Sequence, residues 1–458
     1  MMTLRRLFRY FVCYLLVLVI MCLVYYVVIE PEWNWDTVTI LAGCSGFLSM
    51  LLIGLNPHIN FIGFVGIYGL YLTLAHLGTV LSDLIDPHAL DSIQEHMLWW
   101  VRSDYRPYTV ALSGIGIACF SLGANFTSFL QKNKKRDLKT IDEKGHPGIF
   151  AMGITLLAIV SFYLVFSFGT GRLPLFGSYM DYWEALEKLP EYVWILFFFA
   201  VGIDFMLATA DRKQLKIGGI MFAISAGLLM LTGNRGEVMY PSAAGMAILL
   251  NRGFKINMKL VLIGLIAFFV IIPIISETRT TAKDDLDVSE ISLSFTDPFV
   301  EIGYTLRPFV VTVGWIKEGE NHGQGKTYTL PVKRLLGLAI PFYERPSIID
   351  NKYILRDRTP TQGYSVLAEA YYNFGLAGVM IVPALIGAFL VTLGDHAPNN
   401  STLAFVGGIT AVLINNIRNG FSFVPGQILM VGILFTVGLM IQIIRQSSNK
   451  SGAKELQT

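Results

Sequence analysis

The longest stretch without a membrane-spanning apolar run covers residues 277–374, and its second half is rich in cations. Arg345, Arg356 and Arg358 lie close together there, and Glu369 follows where apolar sequence resumes. Arginine suits phosphates because its planar fork makes bidentate, charge-assisted hydrogen bonds. Fixed cations beside a carboxylate at a membrane surface indicate binding of an anionic amphiphile. Arginines that converge on one pocket could hold a pyrophosphate without a metal.

Three further arginines lie near predicted membrane boundaries. Arg235 is in the turn TGNRGE, Arg279 directly follows an apolar run, and Arg307 is the one cation of the segment EIGYTLRPFVVTVGW. An arginine near a membrane tends to be paired or functional. Anchoring of a helix end is the alternative for Arg235 and Arg279, and a surface amphipathic helix is the alternative for Arg307. Arg418 is interpreted only as an anchor.

Glu369 and its loop each allow two interpretations. The carboxylate could act as a general base on a sugar hydroxyl, or it could only favour a helix N-terminus electrostatically. The stretch 277–374 could be an ordinary solvated loop. However, loops beyond about 15 residues without structure of their own are usually functional or disordered. Residues such as Phe342, Tyr343 and Tyr364 are too apolar for disorder.

The composition predicts a polytopic membrane protein. The chain has 458 residues, of which 53% are hydrophobic and 15% charged, whereas soluble proteins have about 25% charged residues. The net charge of +2 indicates no particular partner, and we expect no nucleic acid. All four cysteines lie inside apolar runs, so neither a disulfide framework nor a zinc site is predicted. No cofactor or metal is expected.

The apolar runs predict an all-α fold with about 12 transmembrane helices, since a span needs roughly 20 apolar residues. The predicted spans are 7–29, 37–55, 60–82, 108–130, 148–168, 191–209, 216–232, 237–250, 259–276, 375–394, 402–417 and 424–444.

Basic short loops set the predicted orientation, because Lys and Arg concentrate on the cytoplasmic side. Both termini are then cytoplasmic, and 277–374 is an extracytoplasmic loop before the tenth span. The predicted parts are a bundle of about nine spans at 1–276, this loop, and about three spans with a tail at 375–458. Segment 171–190 is predicted to lie as an interfacial helix on the outer leaflet.

Several short strings in this arrangement resemble one protein family. They are the turn Gly-Asn-Arg-Gly before a short span, Arg279 after the next span, Arg-Pro-Ser at 345–347, and Gly-Tyr-Ser…Ala-Glu-Ala-Tyr-Tyr-Asn-Phe-Gly at 363–375. The last string is the most specific. With the many-span layout, they resemble the Wzy-type polymerases of bacterial O-antigen, capsule and enterobacterial common antigen.

The resemblance implies a GT-C-like glycosyltransferase of the bacterial cytoplasmic (inner) membrane. It implies joining of undecaprenyl-diphosphate-linked repeat units on the outer face, beside membrane lipid and with a flippase and a chain-length regulator as partners. The pyrophosphate would be held by Arg235, Arg279, Arg307 and Arg345. Glu369 would be the acceptor's base or its orienter. The glycan or lipid-phosphate groove would be lined by Arg356, Arg358, Tyr364 and Tyr371.

Two other functions fit the same layout. About twelve spans suit a transporter or flippase of lipid-linked oligosaccharide equally well, although transporters often show internal repeats and midplane polar residues. Here the apolar runs are nearly free of charge, with Asp204 as a rare exception. An O-antigen ligase is chemically close and differs mainly in its acceptor.

Overall fold

Helices make up all the regular structure of the residues that the computed structural model describes. These residues are 2–32, 34–87, 89–90, 99–131, 146–174, 185, 188–189, 191–232, 236–254, 295–340, 343, 346, 355, 358, 363–394, 397 and 399–455. The helices are α1 (Met2–Ile29), α2 (Trp35–Leu55), α3 (Phe64–Ile85), α4 (Tyr105–Leu130), α5 (Pro147–Gly169), α6 (Tyr192–Thr209), α7 (Arg212–Leu231), α8 (Gly236–Asn251), α9 (Asp297–Gly303), α10 (Leu306–Lys317), α11 (Lys326–Ala339), α12 (Val366–Leu393), α13 (Asn400–Asn416) and α14 (Val424–Glu455), with a 3-10 turn at Phe421–Phe423.

Nine of the described helices, α1 to α7, α12 and α14, are long and apolar enough to cross a membrane. This finding confirms the predicted all-α integral membrane fold. Helices α8 and α13 lie at two further predicted spans but have only 16 and 17 residues. At 1.5 Å per residue they reach about 24–26 Å, less than the hydrocarbon core. Span 259–276 lies outside the described residues, so the total of twelve stays a prediction.

Helix α12 begins nine residues before the predicted tenth span at 375–394. The prediction began at Gly375 because the preceding turns carry the polar residues Glu369 and Asn373. The backbone is helical on both sides of Gly375, which itself adopts φ 60° and ψ −145° and kinks the helix. Only glycine adopts this conformation readily. The polar turns are therefore the first segment of a kinked membrane helix.

The chain divides into two compact units. Unit 1 contains residues 1–135, 294–395 and 413–426, and unit 2 contains the remainder. In unit 1, α12 packs along α4, while α10 packs against both helices. A Cβ at Gly123 of α4 would overlap the backbone of Ala384 in α12. Such small residues let membrane helices approach closely, and this packing places the start of α12 in the interior of unit 1.

Unit 2 is built mainly on α5, α6, α7 and α8, whose apolar side chains share one core. Arg252 donates hydrogen bonds to the carbonyl oxygens of Leu207 (2.6 Å) and Ala210 (2.7 Å). It thereby satisfies carbonyls at the C-terminal end of α6, which have no partner within the helix. Asp204 is fully buried in α6, and neither of its carboxylate oxygens accepts a hydrogen bond from a described residue.

Candidate active site

The first turn of α12 is held by a buried serine–histidine contact. Ser365 is the N-cap, and its hydroxyl accepts a 3.2 Å hydrogen bond from the Ala368 N–H. The same hydroxyl lies 2.7 Å from Nε2 of His76 in α3. Nδ1 of His76 lies 3.0 Å from the carbonyl oxygen of Leu72. That carbonyl requires a proton on Nδ1, so we assign Nε2 as the acceptor from Ser365.

The residues just before α12 are tied to the turn before α14. The Tyr364 N–H donates a 2.9 Å hydrogen bond to the Arg418 carbonyl oxygen. Gly363 has φ +72°, and a Cβ there would overlap that carbonyl. Glycine is needed at this position because the backbone is left-handed and the two segments touch.

Glu369 is the buried carboxylate at the centre of this region, with 1% of its surface exposed. Its Oε2 accepts a 2.6 Å hydrogen bond from the Phe421 N–H. A Cβ at the adjacent Gly420 would lie 3.5 Å from Oε2, an ordinary van der Waals contact. The Thr327 hydroxyl interacts with the carboxylate without closing a hydrogen bond of good geometry. Oε1 therefore accepts no hydrogen bond from the described residues.

The N-terminal turn of α11 covers the same face of α12. Asn373 donates a 2.7 Å hydrogen bond from Nδ2 to the Thr327 hydroxyl. The Tyr328 ring stacks on Phe374, with centroids 6.0 Å apart and an interplanar angle of 4°. It also meets the edge of Phe421 at 5.1 Å. Tyr328 is thus held rigidly beside the turn that binds Glu369.

Tyr364 and Tyr371, which were predicted to line a groove, are buried. The Tyr364 hydroxyl lies 2.6 Å from the Thr312 hydroxyl of α10. Burial raises the pKa of Tyr364 well above its ordinary value, so it remains a neutral phenol. Tyr371 packs edge-on against Tyr108 and His322, with centroids 6.3 and 5.7 Å away. Both side chains support the first turns of α12 from inside unit 1.

The guanidinium of Arg358 is paired with a carboxylate of the same protein. Its Nη1 and Nη2 donate to the two carboxylate oxygens of Glu320 at 2.8 and 2.6 Å. The guanidinium also lies 3.6 Å above the centroid of the Trp315 ring. The hydrogen bonds from Arg358 lower the pKa of Glu320, and those to Glu320 raise the pKa of Arg358. The guanidinium would have to leave Glu320 before it could bind a phosphate bidentately.

Arg307 has a different environment at the start of α10. Its guanidinium lies 5.4 Å from the centroid of the Trp99 ring. Partial burial lowers its pKa. Among the described residues it forms no hydrogen bond or ion pair. Arg307 thus differs from Arg358, whose guanidinium is paired with the Glu320 carboxylate. Its predicted role in binding a pyrophosphate stays a prediction.

The other predicted site residues are Arg235, Arg279, Arg345 and Arg356, and all four lie outside the described residues. Most of the predicted interfacial helix at 171–190 also lies outside them. Of the described site residues, Tyr364 lies within electrostatic reach of both Glu369 and Arg358. Sequence reasoning missed His76, Thr327, Tyr328 and Phe421. The short strings around the last two, KTYTL and NGFSF, carry no signal of contact with a carboxylate.

The arrangement can accept a proton in a water-poor site. One oxygen of Glu369 is fixed by a backbone donor, and the other accepts no hydrogen bond from the described residues. A carboxylate oriented in this way is suited to general-base chemistry when a hydroxyl reaches it.

The fold and the site define a multi-pass membrane protein with a buried, oriented carboxylate in the first turns of one membrane helix. Residues 10–451 match the family O-antigen polysaccharide polymerase Wzy, and the chain belongs to this family. Protein CapE of Staphylococcus aureus is 30% identical over 392 residues, which cover 85% of this chain and 87% of CapE. No solved structure matches the chain, so a GT-C-like fold stays a prediction.

Membership of the family confirms the resemblance found in the sequence. Wzy proteins are polymerases of the inner membrane that act on lipid-linked repeat units. The chain is therefore a glycosyltransferase-type polymerase of the O-antigen or capsular class, and the nine apolar helices agree with a multi-pass protein.

Proposed function

We propose that this protein joins undecaprenyl-diphosphate-linked oligosaccharide repeat units into a polysaccharide on the outer face of the cytoplasmic membrane. The observation that carries the proposal is the family match, which extends over residues 10–451. The outer face is supported by the basic loops, which place 277–374 and the start of α12 outside.

The donor is the growing glycan on undecaprenyl diphosphate, and the acceptor is the terminal sugar of an incoming lipid-linked repeat. Glu369 takes the proton of the acceptor hydroxyl as its oxygen attacks the anomeric carbon of the donor. The bond between that carbon and the diphosphate oxygen breaks, and undecaprenyl diphosphate leaves with the electron pair. No nucleotide takes part, because the donor carries its own activated bond.

The negative charge on the leaving diphosphate needs stabilisation in the transition state. We assign this role to Arg235, Arg279, Arg345 and Arg307, since preorganised charged donors stabilise developing charge. Arg307 supports the assignment, because its guanidinium is partly buried and has no acidic partner among the described residues.

Arg356 and Arg358 are proposed to lie along the glycan or lipid-phosphate groove, with Tyr364 and Tyr371 supporting its wall. A flippase that delivers repeat units and a chain-length regulator are the proposed partners. Each acts on the same lipid-linked glycan, before or during its polymerisation.

The direct test uses purified protein in liposomes with a lipid-linked repeat unit, with and without excess EDTA. We expect a ladder of products that differ by one repeat, formed equally well with the chelator. Absence of a ladder together with movement of the lipid-linked unit between leaflets would instead support a transporter. Activity restored only by a divalent cation would contradict a pyrophosphate site made of arginines alone.

A further inference from the structure

Four buried polar atoms without a described hydrogen-bond partner belong to one region of unit 1. They are Glu369 Oε1, Tyr328 Oη, Asn373 Oδ1 and Tyr68 Oη. Asn373 binds Thr327, the neighbour of Tyr328 in the chain, and the Tyr328 ring meets Phe421, whose N–H binds Glu369. Glu369 and Tyr68 also act electrostatically on the Tyr328 hydroxyl. Buried polar groups are nearly always paired, and each unpaired one destabilises the fold. Several in one region indicate a place completed by a bound molecule.

The hydrogen-bonding character of three of these atoms is fixed. Burial, and then the nearby Glu369 carboxylate, raise the pKa of Tyr328 well above its ordinary value, so the phenol keeps its proton as a donor. Both Nδ2 hydrogen bonds of Asn373 go to Thr327 Oγ1 and to the Glu369 carbonyl oxygen, at 2.7 and 2.8 Å. Its Oδ1 is therefore an acceptor, as is Glu369 Oε1.

We propose that Tyr328, Glu369 and Asn373 form a hydroxyl-binding subsite for the sugar of the incoming repeat unit. Tyr328 donates to a sugar oxygen, and Glu369 Oε1 and Asn373 Oδ1 accept from sugar hydroxyls. A hydroxyl offers one donor and two acceptor positions, so one donor and two acceptors suit a pair of neighbouring sugar hydroxyls.

The same atoms disfavour an anion. Two of the three are acceptors, one of them carboxylate, and the nearby Arg358 already has both fork nitrogens on Glu320. A diphosphate would meet repulsion here, whereas a neutral polyhydroxyl group would not. The subsite therefore separates glycan recognition from the arginines assigned to the pyrophosphate.

The ring of Tyr328 is preorganised for this role. It stacks on Phe374 and meets the edge of Phe421, whose N–H holds the other oxygen of Glu369. The phenol and the carboxylate are thus fixed to the same turn. Tyr328→Phe removes the hydroxyl and keeps both ring contacts, so the variant should fold like the parent.

The inference rests on the proposed function. Its test measures binding instead of polymerisation, so failure of the subsite can be distinguished from failure of the proposed function. Two probes are compared in detergent micelles: a single repeat unit linked to undecaprenyl diphosphate, and undecaprenyl diphosphate alone. Tyr328→Phe should weaken binding of the first probe by roughly twofold to tenfold, as for loss of one hydrogen bond to a neutral group. Binding of the second probe should not change.

Tyr192→Phe is the matched control. The Tyr192 hydroxyl is also buried, but it already lies 3.2 Å from the Thr232 hydroxyl, in unit 2. This variant should bind both probes like the parent. Asn373→Leu provides a second variant, and it should weaken binding of the glycan-bearing probe selectively.

Equal weakening of both probes by Tyr328→Phe would overturn the subsite in favour of a structural role. Unchanged binding of both would also overturn it and leave water as the occupant. Neither result touches the ladder assay, in which failure of the parent protein would refute the proposed function itself.

Discussion

The Phe421 N–H donates a 2.6 Å hydrogen bond to Oε2 of Glu369, although 52 residues separate the two in the chain. This contact joins the first turns of α12 to the turn that precedes α14. It also orients the carboxylate so that Oε1 remains free of described donors. The chemistry proposed for Glu369 depends on this orientation.

Glu369→Gln should lower the rate of polymerisation by about 10²–10⁴, the usual contribution of a general base. The amide oxygen can still accept from Phe421, so the variant should accumulate in membranes at parental levels. The measurement is ladder formation from a lipid-linked repeat unit. Glu318→Gln, at an exposed glutamate, is the control and should stay active. A Glu369→Gln variant with parental rates would leave the carboxylate with only a helix-capping role.

Arg235→Lys, Arg279→Lys and Arg345→Lys should each slow chain growth by roughly 10²–10³, by analogy with loss of one oxyanion-hole donor. Lysine keeps the charge but loses the planar fork that matches a phosphate. Arg418→Lys is the control, because the contact of Arg418 with Tyr364 uses its carbonyl oxygen. Full-length polymer made at normal rates by all three variants would refute the pyrophosphate site.

The Arg358–Glu320 pair should contribute to stability in a pH-dependent way. Because Arg358 lowers the pKa of Glu320, the contribution is present above the unfolded-state pKa, about 4.3, and is lost as pH falls through the folded-state pKa. Both side chains are about one-third exposed, so the contribution should be about 0.2–1 kcal/mol. On acidification, the melting temperature of Glu320→Gln in detergent should therefore fall less than that of the parent protein.

A double-mutant cycle tests whether the pair acts as a unit. Arg358→Lys combined with Glu320→Gln should destabilise the protein no more than the worse single variant. Strictly additive effects would mean that the two side chains do not interact in solution. Arg358 would then be available for phosphate.

Gly363→Ala should destabilise the protein by about 1–3 kcal/mol, since the backbone is left-handed there and a Cβ would overlap the Arg418 carbonyl oxygen. The measurement is thermal unfolding in detergent. Gly227→Ala, inside α7 with open space around its Cβ position, should be neutral or slightly stabilising. Equal melting temperatures for Gly363→Ala and the parent would contradict the described contact between the two segments.

The predicted topology places both termini in the cytoplasm and 277–374 outside. In a variant without its own cysteines, Asn321→Cys should react with an impermeant thiol reagent added to whole cells. Asn449→Cys should react only after the membrane is opened. The reverse pattern would invert the protein and place the start of α12 on the cytoplasmic side.

The membrane class, the approximate positions of the spans and the cation-rich segment are determined by the sequence itself. Transfer of an apolar run into lipid depends on the composition of about 20 consecutive residues. A membrane span can therefore be predicted from its own residues, without knowledge of their partners. The motif around Glu369 likewise lies in one continuous string, Gly363 to Gly375, and it led to the right family. Even so, the predicted span begins nine residues after the start of α12. Glu369 and Asn373 made the first turns of the helix too polar to be predicted as part of a membrane span, because their buried partners are distant in the sequence.

Only the tertiary structure decided which groups meet the carboxylate. Phe421 and Tyr328 approach Glu369 from other helices and turns, and His76 reaches Ser365 across 289 residues of chain. It likewise decided that Arg358 pairs with Glu320, and that Tyr364 and Tyr371 face inward. Hydrogen bonds form between atoms that the fold brings together. The residue types alone specify what each group can donate or accept, but not which partner it finds.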